Sequence, residues 1–405
     1  MIGSLYTSVS GMNAFTEQLS VVSDNIANVE TTGYKSSDIA FADVLSTALS
    51  SASGDSVGAG VEVQSISEVW NQGIISTTGS STDLAINGSG FFIVEDQEID
   101  LSYYTRDGGL EFDSSGTLVT SNGLAVQGYE IDEEGNLGAL EDIEISYDAF
   151  PPSATTEMST TLNLDSGTEE AETFSTTTTV YDSLGNEISV TIAYTKSATA
   201  NEWTWTAEIP STYGTLTGDT GGTITFDDDG ALVSGADPEF TLELTNGADP
   251  TQTITWDIYD NTGDTNGTLT QYAGTSALYS QEQDGYASGE LYDLSIDENG
   301  TIVGSYSNGE TQSLYQVALA DFNSYSGLNK IGDNLYEATL NSGQAIVGVP
   351  GTGQLGNVSG GSLETSNVDL ATELSKLITA QRAYQACSRV FSVSSEILQT
   401  VVNLK

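Results

Sequence analysis

Apolar residues recur every seven positions at both ends of this chain, a spacing that dictates long helices in need of a partner. Toward the C-terminus, Leu370, Leu377, Tyr384, Phe391 and Leu398 mark one stripe. Ala380, Cys387 and Val401 widen it, and Leu374, Ile378, Val390, Ile397 and Val402 flank it. No Gly or Pro interrupts Asn367 to Leu404, so one helix of ~57 Å fits there. Ser366 followed by Asp369 reads as a capping box at its start, where the carboxylate also suits the helix dipole. At the other end, Leu5, Met12, Leu19 and Ile26 fall seven apart, with Val9, Phe15 and Val22 beside them. The two helices are expected to pack together. They either close a globular domain as an ordinary hairpin or form a surface that also binds copies of itself.

Between the ends, composition favours strands and tight turns: 43 Gly and only 6 Pro in 405 residues, with runs of Thr, Ser, Tyr and Val. No run of about 18 apolar residues exists, so no membrane insertion is expected. Met1 to Leu5 lacks the basic and apolar regions of a secretory signal. The lone Cys387 excludes an intramolecular disulfide, and its place on the stripe suits core packing. The absence of histidine removes Ser-His-Asp and Cys-His catalysis, histidine zinc sites and a histidine pH switch.

The formal charge of −50 comes from 58 acidic and 8 basic residues, unevenly placed. Residues 1–30 carry three acids (Glu17, Asp24, Glu30), and residues 367–405 carry three acids against four bases. Near-neutral ends can pack closely, while the acidic middle must face solvent. Neither nucleic acid nor an anionic membrane offers counter-charge to such a chain. So few lysines also suits a medium of high ionic strength.

In chain order, the first helix is expected to end near Asn28 to Glu30, where β-branched residues and then Gly33 follow. Residues 36–60 read as a connector with a short helix around Phe41 to Leu49. From Val61 the period becomes two, through Val63 and Ile66, and Leu84 to Val94 reads as strand, glycine turn, strand. No helix and no Lys follow that glycine turn, so it is not a phosphate loop. One turn pattern then recurs five times, as Asp113 with Gly116, Asp132 with Gly135, Asp182 with Gly185, Asp227 with Gly230 and Asp297 with Gly300. The Asp accepts backbone hydrogen bonds and the Gly supplies a positive φ, which predicts antiparallel hairpins. Calcium loops fail on spacing: with Gly230 sixth, Thr225 and Ala236 stand where ligands belong. Phe150-Pro151-Pro152 reads as a linker into a second β unit, and Gly348 to Gly361 as a flexible hinge before the terminal helix. Trp203, Trp205, Tyr213 and Trp256 suit a β core better than a sugar groove. Among so many carboxylates, a chance pair at glycosidase spacing says nothing of catalysis. No enzyme, cofactor or metal is expected.

The resulting fold class is multidomain α+β. Paired terminal heptad helices (1–30 and 364–405) bracket two mainly antiparallel β domains through a connector (31–70 and 358–363). The inner β domain spans 71–145 and 284–357, and the outer one, 146–283, is inserted in it.

Three stretches carry a resemblance. Ser23 to Lys35 (SDNIANVETTGYK) is similar to the N-terminal signature of bacterial flagellar rod and hook proteins, through Asn25, Ile26, Ala27, Asn28, Gly33, Tyr34 and Lys35. Gly361 to Val390, with Gln381, Arg382 and Tyr384, resembles their C-terminal signature. Leu84 to Val94, Tyr104 to Tyr129 and Ser305 to Gly361 resemble the shared β domain. The insert and the ending Val402-Asn403-Leu404-Lys405 resemble hook rather than the shorter rod members. The resemblance implies a structural subunit polymerising into a short curved tube, the universal joint carrying torque from rod to filament. Its helices would line the inner tube, with the insert outermost. Leu5, Met12, Phe15, Leu19, Val22 and Ile26 with Leu370, Leu377, Tyr384, Phe391, Leu398 and Val401 would form the assembly interface. Implied partners are further copies of the chain, a distal rod protein, a hook cap, a hook–filament junction protein and the flagellar type III export apparatus. Met1 to Lys35 would serve export without a cleaved signal peptide to the extracellular hook. The alternatives are a distal rod protein and, from another class, a secreted acidic β-rich adhesin or surface protein.

Overall fold

The computed structural model describes residues 2–44, 59–99, 101–132, 134–233, 235–259 and 269–403. The chain divides into two compact units. The first comprises Met1–Ser146, Asp293–Gly304 and Thr311–Lys405; the second comprises Tyr147–Tyr292 and Ser305–Glu310. The second unit therefore reaches beyond the expected 146–283.

In the first unit, helix α1 spans Ile2–Ala27 and helix α2 spans Leu370–Asn403. Asp369 caps α2: its Oδ1 accepts the Thr372 N–H at 2.8 Å. The expected capping role of Ser366 is not met, because the cap must stand next to Leu370 to reach the third helical N–H. Ser366 Oγ accepts the Val368 N–H instead, at 3.3 Å.

The two helices run antiparallel. Ser4 Oγ lies 3.3 Å from Ser394 Oγ, Gly11 faces the Cys387 sulfur, and Asn25 Nδ2 donates to Glu373 Oε2 at 3.2 Å. Their seam is not the stripe of large residues. It is made of small side chains: Ser8, Gly11 and Ala14 on α1, with Ala380, Cys387 and Ser394 on α2. A Cβ at Gly11 would stand 3.0 Å from Cys387 Sγ, so the helix axes approach closely there. Val22 is the one large stripe residue fully buried among those described.

The expected connector holds an antiparallel hairpin, Ser37–Asp43 with Val61–Glu68. Phe41, expected to open a short helix, lies in its first strand, with its ring 6.0 Å from Phe15 of α1. The remainder of that expected helix, 45–49, lies outside the described residues. Ala40 faces Ser65 but Phe41 faces Val63, so Gln64 bulges. The bulge explains why the apolar pattern steps from Val63 to Ile66.

Leu84 to Val94 is not a hairpin. Leu84–Asn87 pairs with Asn357–Gly360, whereas Phe91–Asp96 pairs with Leu101–Thr105 and Ala125–Ile131 in a larger sheet. Gly88 and Gly90, at φ of +119° and +121°, carry the chain from one sheet to the other. The glycine-rich run is likewise no flexible hinge, since Asn357–Gly360 and Ser362–Glu364 are paired strands. A Cβ at Gly356 would lie 2.4 Å from the Asn87 carbonyl oxygen: glycine permits close backbone approach there. Trp70 closes this core, with ring centroids 5.5 Å from Phe91, 5.4 Å from Tyr325 and 5.1 Å from Tyr336.

All five Asp/Gly turns form. In each, the Asp N–H donates to the carbonyl four residues on, the Gly N–H donates back to the Asp carbonyl, and the Gly has positive φ. This is a type I turn closed by a left-handed glycine.

The second unit packs a four-stranded sheet and a six-stranded sheet around one core. Most pairings are antiparallel, but Glu157–Asn163 runs parallel to Thr251–Asp257 and Leu269–Thr270. Trp203, Trp205 and Trp256 are buried, the last two edge-to-face at 5.0 Å, with Tyr213 packed against the cluster. They form core rather than a sugar groove. Phe150 is bridged to Gly289 and packs its ring 4.6 Å from Tyr306, so Phe150-Pro151-Pro152 belongs to the compact unit.

Asp182 heads the longest of these hairpins and accepts from the N–H groups of Leu184 and Asn186 and the side chains of Asn186 and Asn246. Burial pushes its carboxyl up, but these donors outweigh it and hold it below the usual range. Asp182→Ala is expected to cost about 1–3 kcal/mol at neutral pH. The folded pKa lies below the unfolded one, so this contribution is complete above about pH 4 and fades as pH falls through the folded value. Urea unfolding followed by tryptophan fluorescence checks this. A difference between the two chains that stays constant from pH 7 to pH 3 would contradict it.

Candidate assembly site: the helical hairpin and its anchor

The segment after α1 is tied down by polar side chains. Asn25, buried on the last turn, accepts the Ser37 N–H at 2.9 Å and donates to the Ser37 carbonyl at 2.8 Å. It thereby clamps the hairpin to both helices. Asn28 donates to the Asp24 carbonyl at 3.0 Å, closing the helix end. The Tyr34 hydroxyl donates to Asp24 Oδ2 at 3.0 Å, and Lys330 lies over its ring at 4.7 Å. Gly33 turns the chain at φ +65°, where a Cβ would fall 2.6 Å from backbone atoms of Arg106 and Asp107.

Lys35 ends in a buried ion triad. Its Nζ donates to Glu364 Oε1 at 2.6 Å and to the Asn71 carbonyl at 3.1 Å. Arg106 reaches Glu364 Oε2 at 3.3 Å and donates to the Gly88 carbonyl at 2.8 Å, its guanidinium over the Phe91 ring. The Gly73 N–H also donates to Glu364 Oε1, at 2.7 Å, and the Gly33 N–H to the Glu364 carbonyl, at 2.8 Å. Burial lowers the pKa of both Lys35 and Arg106, and Glu364 opposes that shift in each. Three charges out of water cannot persist unless they are mutually paired and hydrogen-bonded. Asn367 adds a further link: it accepts the Ser36 N–H and donates to the Val69 and Asn71 carbonyls. The ends of both helices are thus fixed to one another and to the β body.

The structure therefore gathers Asn25, Gly33, Tyr34 and Lys35 into one network, with Asn28 at its edge. Ile26 is half-buried and Ala27 exposed at the helix end, while Gln381, Arg382 and Tyr384 stand exposed on α2. Glu364, Arg106, Asn367 and Glu373 were not singled out from the sequence. The available signal was scarcity, since a chain with 8 bases places two of them on one carboxylate.

Outside the seam, the apolar stripe is open. Leu370, Tyr384 and Phe391 are exposed, together with Leu374, Ile378, Val390, Val393 and Ile397. Leu5, Met12, Phe15, Leu19, Ile26, Leu377 and Leu398 are half-buried, and the Val401 side chain lies outside the described ones. No described helix is long and apolar enough to cross a membrane. Among the described residues no group of three or more acidic or thiol ligands is arranged to hold a metal.

Two mutually anchored helices that leave large apolar side chains uncovered, joined to β units, have the build of a self-assembling structural subunit. Comparison with known proteins carries this further. Residues 5–35 match the flagella basal body rod protein family, and 85–160 the flagellar hook protein FlgE/F/G D1 domain. Residues 153–286 match the flagellar basal body protein FlaE D2 domain, and 359–404 the flagellar basal body rod FlgEFG protein C-terminal family. The flagellar hook protein FlgE of Salmonella typhimurium is 33% identical over 418 aligned positions, covering 98% of each chain. That of Treponema pallidum is 32% identical, covering 100% of each, and that of Rhizobium meliloti 34%, covering 100% of this chain and 99% of its own. The crystal structure of Helicobacter pylori flagellar hook protein FlgE2 shares the fold, with a TM-score of 0.53 at 16% identity over 72% of this chain and all of that one. The chain belongs to the flagellar hook protein family. It is a structural subunit of the hook and not an enzyme; neither the distal rod protein nor the surface adhesin reading is favoured.

Proposed function

We propose that this subunit polymerises through the open apolar face of its helical hairpin, and that the resulting tube transmits torque as a flexible joint. The observation that carries this is the mismatch on α2: small residues face its own chain, and large apolar ones face outward. Single exposed apolar residues are ordinary, but eight along one helix, spread over both flanks of the seam, call for a cover. The interface comprises Leu5, Met12, Phe15, Leu19 and Ile26 with Leu370, Leu374, Leu377, Ile378, Tyr384, Phe391, Leu398 and Val401, whereas Val22, buried in the isolated chain, serves the hairpin itself. The helices carry stiffness, while contacts among acidic β units remain weak and yield as the tube bends. A distal rod protein below, a cap and a junction protein above, and the type III export apparatus complete the proposed partners. Met1 to Lys35 acts in export to the cell exterior without a cleaved signal.

Electron microscopy of basal bodies from a strain deleted for the gene tests the placement. The expected result is a complete rod ending bare, with no hook or filament. A truncated rod would place the subunit lower in the axis, and normal flagella would remove the reading.

A further inference from the structure

Four charged side chains on the terminal helices are idle in the isolated chain. Arg382 and Arg389 stand seven residues apart on α2, with Glu396 seven further on, and Glu17 is on α1. All four are exposed, and among the described residues none forms an ion pair. The other described bases are engaged: Lys35 and Arg106 on Glu364, Lys376 on Glu373 and Asp38, Lys196 and Lys330 over aromatic rings. The remaining helical carboxylates are engaged too. Asp24 accepts from Tyr34 and Asn28, and Glu373 pairs with Lys376 and Asn25.

The helices thus hold two unpaired cations and two unpaired anions beside an apolar face that is also open. In a chain with 58 acidic and 8 basic residues, exposed guanidinium groups are scarce. We infer that Arg382 and Arg389 pair with Glu17 and Glu396 of a second copy of this chain, fixing the register in which helical hairpins lie side by side. A second copy supplies the apolar cover and both missing charge signs together. Charges flanking an apolar seam set partner and register in paired helices, and the planar guanidinium suits a carboxylate in bidentate contact. The inference rests on the proposed helical contact and adds its specificity.

The test uses full-length chains carrying R382E/R389E, E17R/E396R, or all four substitutions, with helix content checked by circular dichroism. Polymer formation is followed by electron microscopy and by the critical concentration across ionic strength. Each double variant is expected to raise the critical concentration by about tenfold at low salt. The gap should close toward 1 M salt, where the screening length is about 3 Å. E17R/E396R lowers the net negative charge, so unspecific repulsion alone predicts easier assembly; harder assembly identifies pairing. The fourfold swap should restore polymerisation. Doubles that assemble like the unaltered chain, or a fourfold variant no better than the doubles, would overturn the inference. A chain carrying L374D/I378D is run alongside. If it fails while the charge variants assemble, only the pairing is wrong; if it also assembles, the helical contact itself is wrong.

Discussion

A chain carrying Leu374→Asp and Ile378→Asp is expected to fold normally and to build no hook. Both side chains are about half exposed in the isolated subunit, at 45% and 52%. Charge there disturbs neither the α1–α2 seam nor the β cores. In a polymer the same positions would be covered. Because each is already about half covered, losing the remaining burial of two such side chains forfeits about 1.5–3 kcal/mol per subunit, before the cost of desolvating two carboxylates. At 1.4 kcal/mol per factor of ten, that term alone raises the critical concentration by a factor of about 10 to 100, and the buried carboxylates raise it further. Motility on soft agar and negative-stain microscopy read the outcome directly. Hooks of normal length on such a strain would show that this face is not the contact. Leu377, though on the expected stripe, is half-buried in the isolated subunit and makes a poorer probe, because its loss confounds folding with assembly.

Glu364→Ala is expected to cost about 3–5 kcal/mol, because it strands Lys35 and Arg106 without their shared counter-charge. Their side chains are 1% and 6% exposed, so water cannot substitute. Against a typical total of 5–15 kcal/mol, that brings the first unit close to unfolding. Hydrogen exchange should show amides of Leu84 to Val94 losing protection while those of Val180 to Trp205 in the second unit keep theirs. The loss should also depend on pH in a definite direction. Burial already lowers the Lys35 pKa, and without Glu364 it falls further. The unfolded chain then binds more protons than the folded one, so the variant regains stability as pH rises toward the ordinary lysine range. A variant protected like the parent at every amide would remove the anchor argument.

Much of this was legible in the sequence because it is local. Seven-residue spacing defines a helix face, and Asp followed three residues later by Gly defines a turn. Tryptophans alternating with threonines along a strand define a core. What was not legible depends on distant partners. Periodicity says which residues share a face, but not which of two adjacent faces meets the chain's own helix. Here the small residues Ala380 and Cys387 do so, because they let the helices approach. Likewise, the glycine-rich run reads as flexible until the Asn87 carbonyl is seen against Gly356. Lys35 and Glu364 are separated by 329 positions, and no local pattern announces such a pair.

That separation governs the order of folding. Joining the two ends of an unfolded chain this long carries a loop-closure cost of about 5 kcal/mol, and contacts so remote in sequence slow folding. Once the β body has brought residue 35 beside residue 364, however, the helices project from adjacent roots. Their zippering becomes a local event, like closing a short hairpin. A nascent chain accordingly cannot complete its hairpin before Leu370–Asn403 has emerged. Until then α1 has no seam to join.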